Sequence, residues 1–141
     1  MDVGLGLTFQ NLHERVTDRD VFRHELDLAA RAEDMGFDSV WTPEHHFTGY
    51  MMTPNVPQFL SWVAAKTSRI KLGTTVTVLP WQNPVRIAES FLLLDHYSEG
   101  RAVLGAGSAR RSSMGSTCRW AKRASAFANT PRPSFVRSKP A

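Results

Sequence analysis

Ser39-Val40-Trp41-Thr42-Pro43-Glu44-His45-His46-Phe47 decides how the rest of the chain is read. Ser39-Val40-Trp41 is a short apolar run with a β-branched centre, the pattern of a buried strand. Glu44, His45 and His46 follow it directly. In β/α folds the loops leaving the C-terminal ends of the strands converge on one rim, and that rim carries the chemistry. Packing alone seldom needs two adjacent histidines, so a group that binds or transfers protons is expected there.

The flanking sequence supplies more units of the same kind. Upstream, Asp2 to Phe9 alternates with one apolar face and reads as a strand. Thr17 or Asp18 can cap a helix along which Val21, Leu28, Ala32 and Met35 recur, with Phe22, Leu26 and Ala29 beside them. Gly36 followed by Phe37 is its stop signal. Downstream, Pro57 sits in the first turn of a short helix carrying Phe59, Leu60, Val63 and Ala64. Ile70 to Leu79 is rich in β-branched residues and reads as one unbroken third strand. Asn83-Pro84 opens a helix with Ile87, Phe91, Leu92 and Leu94 on its apolar side, Gly100 ends it, and Ala102 to Gly105 starts a fourth strand. Strands alternating with helices at this spacing specify parallel β/α units, with all strand C-termini on one rim. Periodicity leaves half of a β/α barrel and a small doubly wound sheet both open.

The 141 residues suffice for one domain with a real core, and the net charge of +4 conceals two unlike parts. Residues 1–107 carry all 13 acidic side chains and 9 of the 17 Lys and Arg. Residues 108–141 carry the other 8 basic side chains and no acid. An acidic β/α body, 1–107, is thus followed by a basic tail, 108–141, rich in Ser, Ala, Arg, Lys and Pro, which we expect to be disordered. No apolar run is long enough to cross a bilayer, no secretory signal opens the chain, and Cys118 is alone. These features set the expectations of a cytoplasmic location, no membrane partner and no disulfide framework. The tail alone hints at nucleic acid, which the acidic body argues against.

Other features have ordinary structural readings. Glu44, His45 and His46 lack the helical spacing of paired zinc histidines and have no evident third ligand, so no metal is expected. Thr74, Thr75 and Thr77 suit any strand. Trp41 and Trp81 are rim packing unless a flat ring stacks on them. Gly105-Ala106-Gly107 follows a strand, where a phosphate can sit, but a complete dinucleotide fingerprint is absent. His13, His24 and His96 read as surface residues.

Three stretches together carry a resemblance: GFDSVWTPEHHF at 36–47, KLGTTVTVLPWQNPVRIAE at 71–89 and LLLDHYSEGRAVLGAG at 92–107. With the opening strand, they resemble the N-terminal part of the bacterial luciferase-like flavin-dependent monooxygenases. The resemblance implies a TIM-type β/α barrel, here with about its first four strands. It further implies reduced flavin mononucleotide as cofactor, or a deazaflavin as in related reductases, with a small organic molecule and oxygen as substrates. His45 is then the catalytic residue beside the flavin ring, and Glu44, His46, Thr75, Val76 and Gly107 are the cofactor-binding candidates. A non-prolyl cis peptide is implied at Thr75–Val76. Family members are often dimeric. One departure stands out, because the family commonly has an arginine-glycine pair holding the flavin phosphate where this chain has Ser108-Ala109.

The tail departs further. In the frame offset by two bases, Met114-Gly115 and Trp120-Ala121 each force a glycine. With GC-rich codons the remainder then reads as an acidic amphipathic helix. The alternative expectation is therefore a frame-shifted fragment without catalysis.

Overall fold

The computed structural model describes residues 1–108. Four parallel strands form one sheet in the order β1 (Gly4–Gly6), β2 (Ser39–Thr42), β3 (Lys71–Thr74), β5 (Ala102–Val103). A second parallel pair, β4 (Thr77–Val78) and β6 (Ala106–Gly107), continues beyond β3 and β5. Neighbours in space follow chain order without reversal. A doubly wound sheet turns back at a switch point, so this order selects the barrel arrangement from the two that periodicity left open.

Local chemistry sets the helix ends. α1 (Asp18–Arg31) starts at Thr17, whose hydroxyl accepts from the Asp20 N–H at 3.2 Å. Beyond Arg31 the chain closes a two-bond Schellman turn: the Phe37 N–H donates to the Ala32 carbonyl at 3.1 Å and the Gly36 N–H to Glu33 at 3.2 Å. Gly36 adopts the left-handed φ of 87° that this turn needs. α2 (Val56–Ala64) and α3 (Pro84–Tyr97) are capped by Asn55 and Asn83, and each has proline in its first turn. Such a cap contributes about 1 kcal/mol.

Alternation along the strands sorts two faces. Leu5, Val40, Leu72 and Ala102 lie in register and pack under the helices with Ala29, Leu60, Val63 and Leu94. Phe9 is fully buried, with its ring 4.9 Å from Phe22 of α1 and 5.0 Å from Phe59 of α2, and so joins the two helices. The opposite row is Gly6, Trp41, Gly73 and Val103. A Cβ on Gly73 would lie 2.2 Å from the Trp41 ring, so the indole lies flat on the sheet only because that position is glycine.

Several sequence expectations are corrected. The third strand is not continuous: it ends at Thr74, the Thr75–Val76 peptide is cis, β4 resumes for two residues, and Leu79–Trp81 is a 3-10 turn. The fourth strand is likewise split around Leu104-Gly105, where the Gly105 carbonyl and N–H both bond the Thr74 hydroxyl. Leu92 is exposed because the inward stripe of α3 is narrower than its apolar composition, and Met35 is exposed because α1 has already ended at Arg31 and leaves it in the turn beyond. His13, His24 and His96 are exposed, as read from the sequence. The basic tail expected from Ser108 onward falls, from residue 109, outside the described residues.

Candidate active-site rim

The C-terminal ends of β2, β3 and β5 meet at one rim, and main-chain hydrogen bonds stitch it together. The Thr75 N–H donates to the Thr42 carbonyl at 3.0 Å, Glu44 N–H to Val76 at 3.2 Å, and Thr77 N–H to Gly105 at 2.7 Å. These bonds bring the histidine loop alongside the Thr75–Val76 peptide. β4 and β6 pair Val78 with Gly107, and a Cβ at Gly107 would meet the Val76 side chain at 2.8 Å. All six residues singled out in the sequence therefore converge on this rim.

Their side chains face different ways. Glu44 is buried at 5% exposure. Its Oε2 accepts from the Val78 N–H at 2.8 Å, and its Oε1 accepts from Gln82 Nε2 at 2.7 Å and lies 2.7 Å from His46 Nε2. The carboxylate is thus committed to the protein interior. Three donors offset the cost of burying a charge that would otherwise be several kcal/mol on the order-of-magnitude scale.

His46 is held at its Nε2 by Glu44 and across its face by Trp81, with ring centroids 4.8 Å apart and planes at 28°. Together with Pro54, Asn55, Arg86 and Ile87, this stacked pair lines an outer cleft of about 350 Å³ that does not include His45.

His45 is the freer of the two rings. Its backbone N–H donates to the Thr53 carbonyl at 3.1 Å, while its half-buried imidazole meets only the edge of Tyr50, at 5.7 Å and 81°. Among the described residues the ring makes no hydrogen bond. Burial, followed by the neighbouring His46, pushes its pKa below the usual histidine range, against an opposing pull from Glu44. A neutral imidazole near pH 7 can accept or relay a proton.

On the same rim Phe47, Tyr50, Val76 and Leu79 are all more than a third exposed. A flat heteroaromatic ring matches this surface, with apolar side chains against its face and an imidazole at its edge. For a phosphate group the match is poorer. The resemblance sets Ser108-Ala109 where an arginine-glycine pair would hold a phosphate, and neither residue is basic.

Sequence reading missed Gln82, the donor that completes the Glu44 network. No spacing rule marks a glutamine in a turn. Among the described residues no cluster of three or more His, Cys, Asp or Glu is placed to hold a metal ion, and no helix is long and apolar enough to cross a membrane.

Comparisons with known proteins agree with this geometry. The family model described as luciferase-like monooxygenase matches residues 1–125. Limonene 1,2-monooxygenase of Rhodococcus erythropolis is 35% identical over 106 residues, covering 74% of this chain and 27% of its own length. The F420-dependent glucose-6-phosphate dehydrogenase of Kineococcus radiotolerans is 45% identical over 87 residues, covering 57% of this chain and 25% of its own length. Among solved structures, the oxygenating constituent of 3,6-diketocamphane monooxygenase from Pseudomonas putida, in complex with FMN, superposes with a TM-score of 0.71 at 27% identity, over 80% of this chain and 31% of that one. The chain spans about a quarter of the length of the curated relatives it matches.

Proposed function

This chain belongs to the luciferase-like monooxygenase family, and on that premise we propose that residues 1–108 form the histidine-bearing part of a reduced-flavin site used to oxygenate a small organic substrate. The observation that carries the reading is His45: a neutral, half-buried imidazole without a hydrogen-bond partner among the described residues, at a strand-end rim with exposed apolar side chains. When bound, reduced flavin supplies the two electrons by which one atom of oxygen enters the substrate and the other leaves as water.

The protein's own groups do the rest. Val76, Leu79 and Tyr50 offer apolar surface that excludes water from a ring seated on them. With a flavin bound there, His45 would be the group that gives or takes a proton. Glu44 and His46 belong to the supporting structure, since both are already bonded within the protein. The relatives that carry FMN in their description support flavin mononucleotide as the cofactor.

The 45% identity with an F420-dependent dehydrogenase favours a second reading, in which a deazaflavin occupies the same rim for hydride transfer without oxygen. Anaerobic titration of the purified chain with reduced flavin mononucleotide, and separately with a reduced deazaflavin, tests both. Saturable one-to-one binding of the first, weakened by His45→Ala, is the expected result. Binding of the deazaflavin alone supports the second reading, and binding of neither contradicts both and favours an inert fragment.

A further inference from the structure

The residues on each side of His45 are anchored, and among the described residues the His45 ring is held by no hydrogen bond. Its amide is fixed to the Thr53 carbonyl, the amide of Glu44 to Val76, and the ring of His46 to Glu44 and Trp81. Two of these anchors, the amide bond to Val76 and the His46 Nε2 contact, run through Glu44, whose carboxylate also accepts from Gln82. Of the three groups donating to the carboxylate, Val78 N–H belongs to β4 and Gln82 Nε2 to the turn before α3, 34 and 38 residues away in sequence. Only the third, His46, belongs to the histidine loop itself. The carboxylate therefore clamps the histidine loop to the segment that follows the split in the third strand.

We propose that Glu44 and Gln82 form a positioning pair that sets the direction of the His45 imidazole. Glu44 is turned into the protein, and Gln82 donates to it from the wall of the outer cleft. Glu44 holds the loop against β4, and Gln82 fixes the lateral position of the carboxylate by donating a hydrogen bond to it, so that His46 stacks on Trp81 and His45 is left facing Tyr50. The inference deepens the proposed flavin site, yet the clamp lies within the ligand-free protein and can be read there without any cofactor.

A charge swap tests it. Gln82→Glu sets two carboxylates against each other in a buried site, which is destabilising for the local geometry. The double variant Glu44→Gln/Gln82→Glu restores one acid and one amide in exchanged positions. In the flavin-free full chain, Gln82→Glu is expected to speed hydrogen exchange at the Val78 amide by about tenfold or more. It is also expected to move the Tyr50 ring-proton shifts toward those of His45→Ala. The double variant is expected to recover both to within about threefold of the parent exchange rate and most of the shift, as coupled neighbours do. Should Gln82→Glu fail to fold, Gln82→Met, which removes the donor at similar length, carries the same comparison.

Two results overturn the proposal: unchanged Val78 exchange and Tyr50 shifts in the single variants, or a double variant no better than Gln82→Glu. Reduced flavin is titrated in parallel. If the parent chain does not bind it while the exchange and ring shifts behave as stated, the flavin reading fails and the positioning pair stands.

Discussion

The two ends of the sheet use the same kinds of side chain in opposite ways. At the N-terminal end of the strands, charge is fully spent. The Glu33 carboxylate accepts from Ser68 N–H and Oγ, from Arg69 N–H and Nε, and from Ile70 N–H, gathering the chain just before β3. Arg101, just before β5, donates from Nε, Nη1 and Nη2 to Ser98, Thr67, Ile70 and Ala64, five bonds that use every donor a guanidinium has. At the C-terminal rim, Glu44 is equally committed but His45 is held back, its ring bonded to nothing described. One end is closed by satisfied charges. The other keeps a titratable group in reserve, amid apolar side chains that folding alone would sooner bury. Conserving partners for stability at the bottom and leaving one free at the top is how a β/α fold separates stability from chemistry.

Removing Arg101 is the largest test of that division. Arg101→Ala leaves several helix-end carbonyls without a donor and is expected to cost about 2–4 kcal/mol, measured by urea unfolding, with the ligand affinity of the remaining folded protein unchanged. A matching loss of affinity would break the separation.

Next comes the middle of the sheet. Gly73→Ala forces a Cβ to 2.2 Å from the Trp41 ring, for an expected destabilisation of about 1–3 kcal/mol. Trp41→Leu in the same chain should relieve most of it. No relief would mean that the indole does not rest on Gly73.

At the rim the order reverses. His45→Ala is expected to change stability by only about 0.5 kcal/mol while weakening reduced-flavin binding about tenfold, near 1.4 kcal/mol. Thermal melts and titration read the two separately.

Acid titration gives the subtlest contrast. Burial pushes Glu33 upward, but the N–H groups of Arg69 and Ile70 and both donors of Ser68 outweigh it and hold its pKa at about 2, from a usual 4.5. A carboxyl lowered on folding contributes stability that is complete above its unfolded pKa and lost as pH falls through the folded one. Glu33→Gln should therefore flatten the fall in stability between pH 4.5 and about 2. His45 is also lowered, by burial first. For a histidine this means stability present above its unfolded pKa of about 6.5 and lost as pH falls through the folded value. His45→Ala should remove a shallow dependence that begins just below pH 6.5, above the range in which Glu33→Gln acts.

What the sequence disclosed follows from how local each signal is. Thr17 and Asn83 cap helices through bonds two or three residues long, and Gly36 and Gly100 take left-handed turns after them, so these signals were legible, although α1 stops at Arg31, short of the Met35 that the spacing included. The parallel arrangement followed from alternation. The break at Thr75–Val76 did not, because Thr-Thr-Val-Thr-Val is uninterrupted β composition, and only the family resemblance located it. Glu33, Arg101 and Gln82 were invisible for a different reason. Apart from Ser98 beside Arg101, their partners lie 31 to 38 residues away and are mostly main-chain groups, for which side-chain identity leaves no mark. Of the rim, the resemblance pointed to His45 as the catalytic candidate, while the inward commitment of Glu44 required the fold.

The most direct measurement is the dissociation constant for reduced flavin mononucleotide under anaerobic conditions, for the parent chain, His45→Ala and Arg101→Lys at a temperature where all three are folded. The account predicts saturable binding by the parent, a value about tenfold weaker for His45→Ala, and no change for Arg101→Lys. Equal affinities for the parent and His45→Ala, or no binding by the parent, would contradict it.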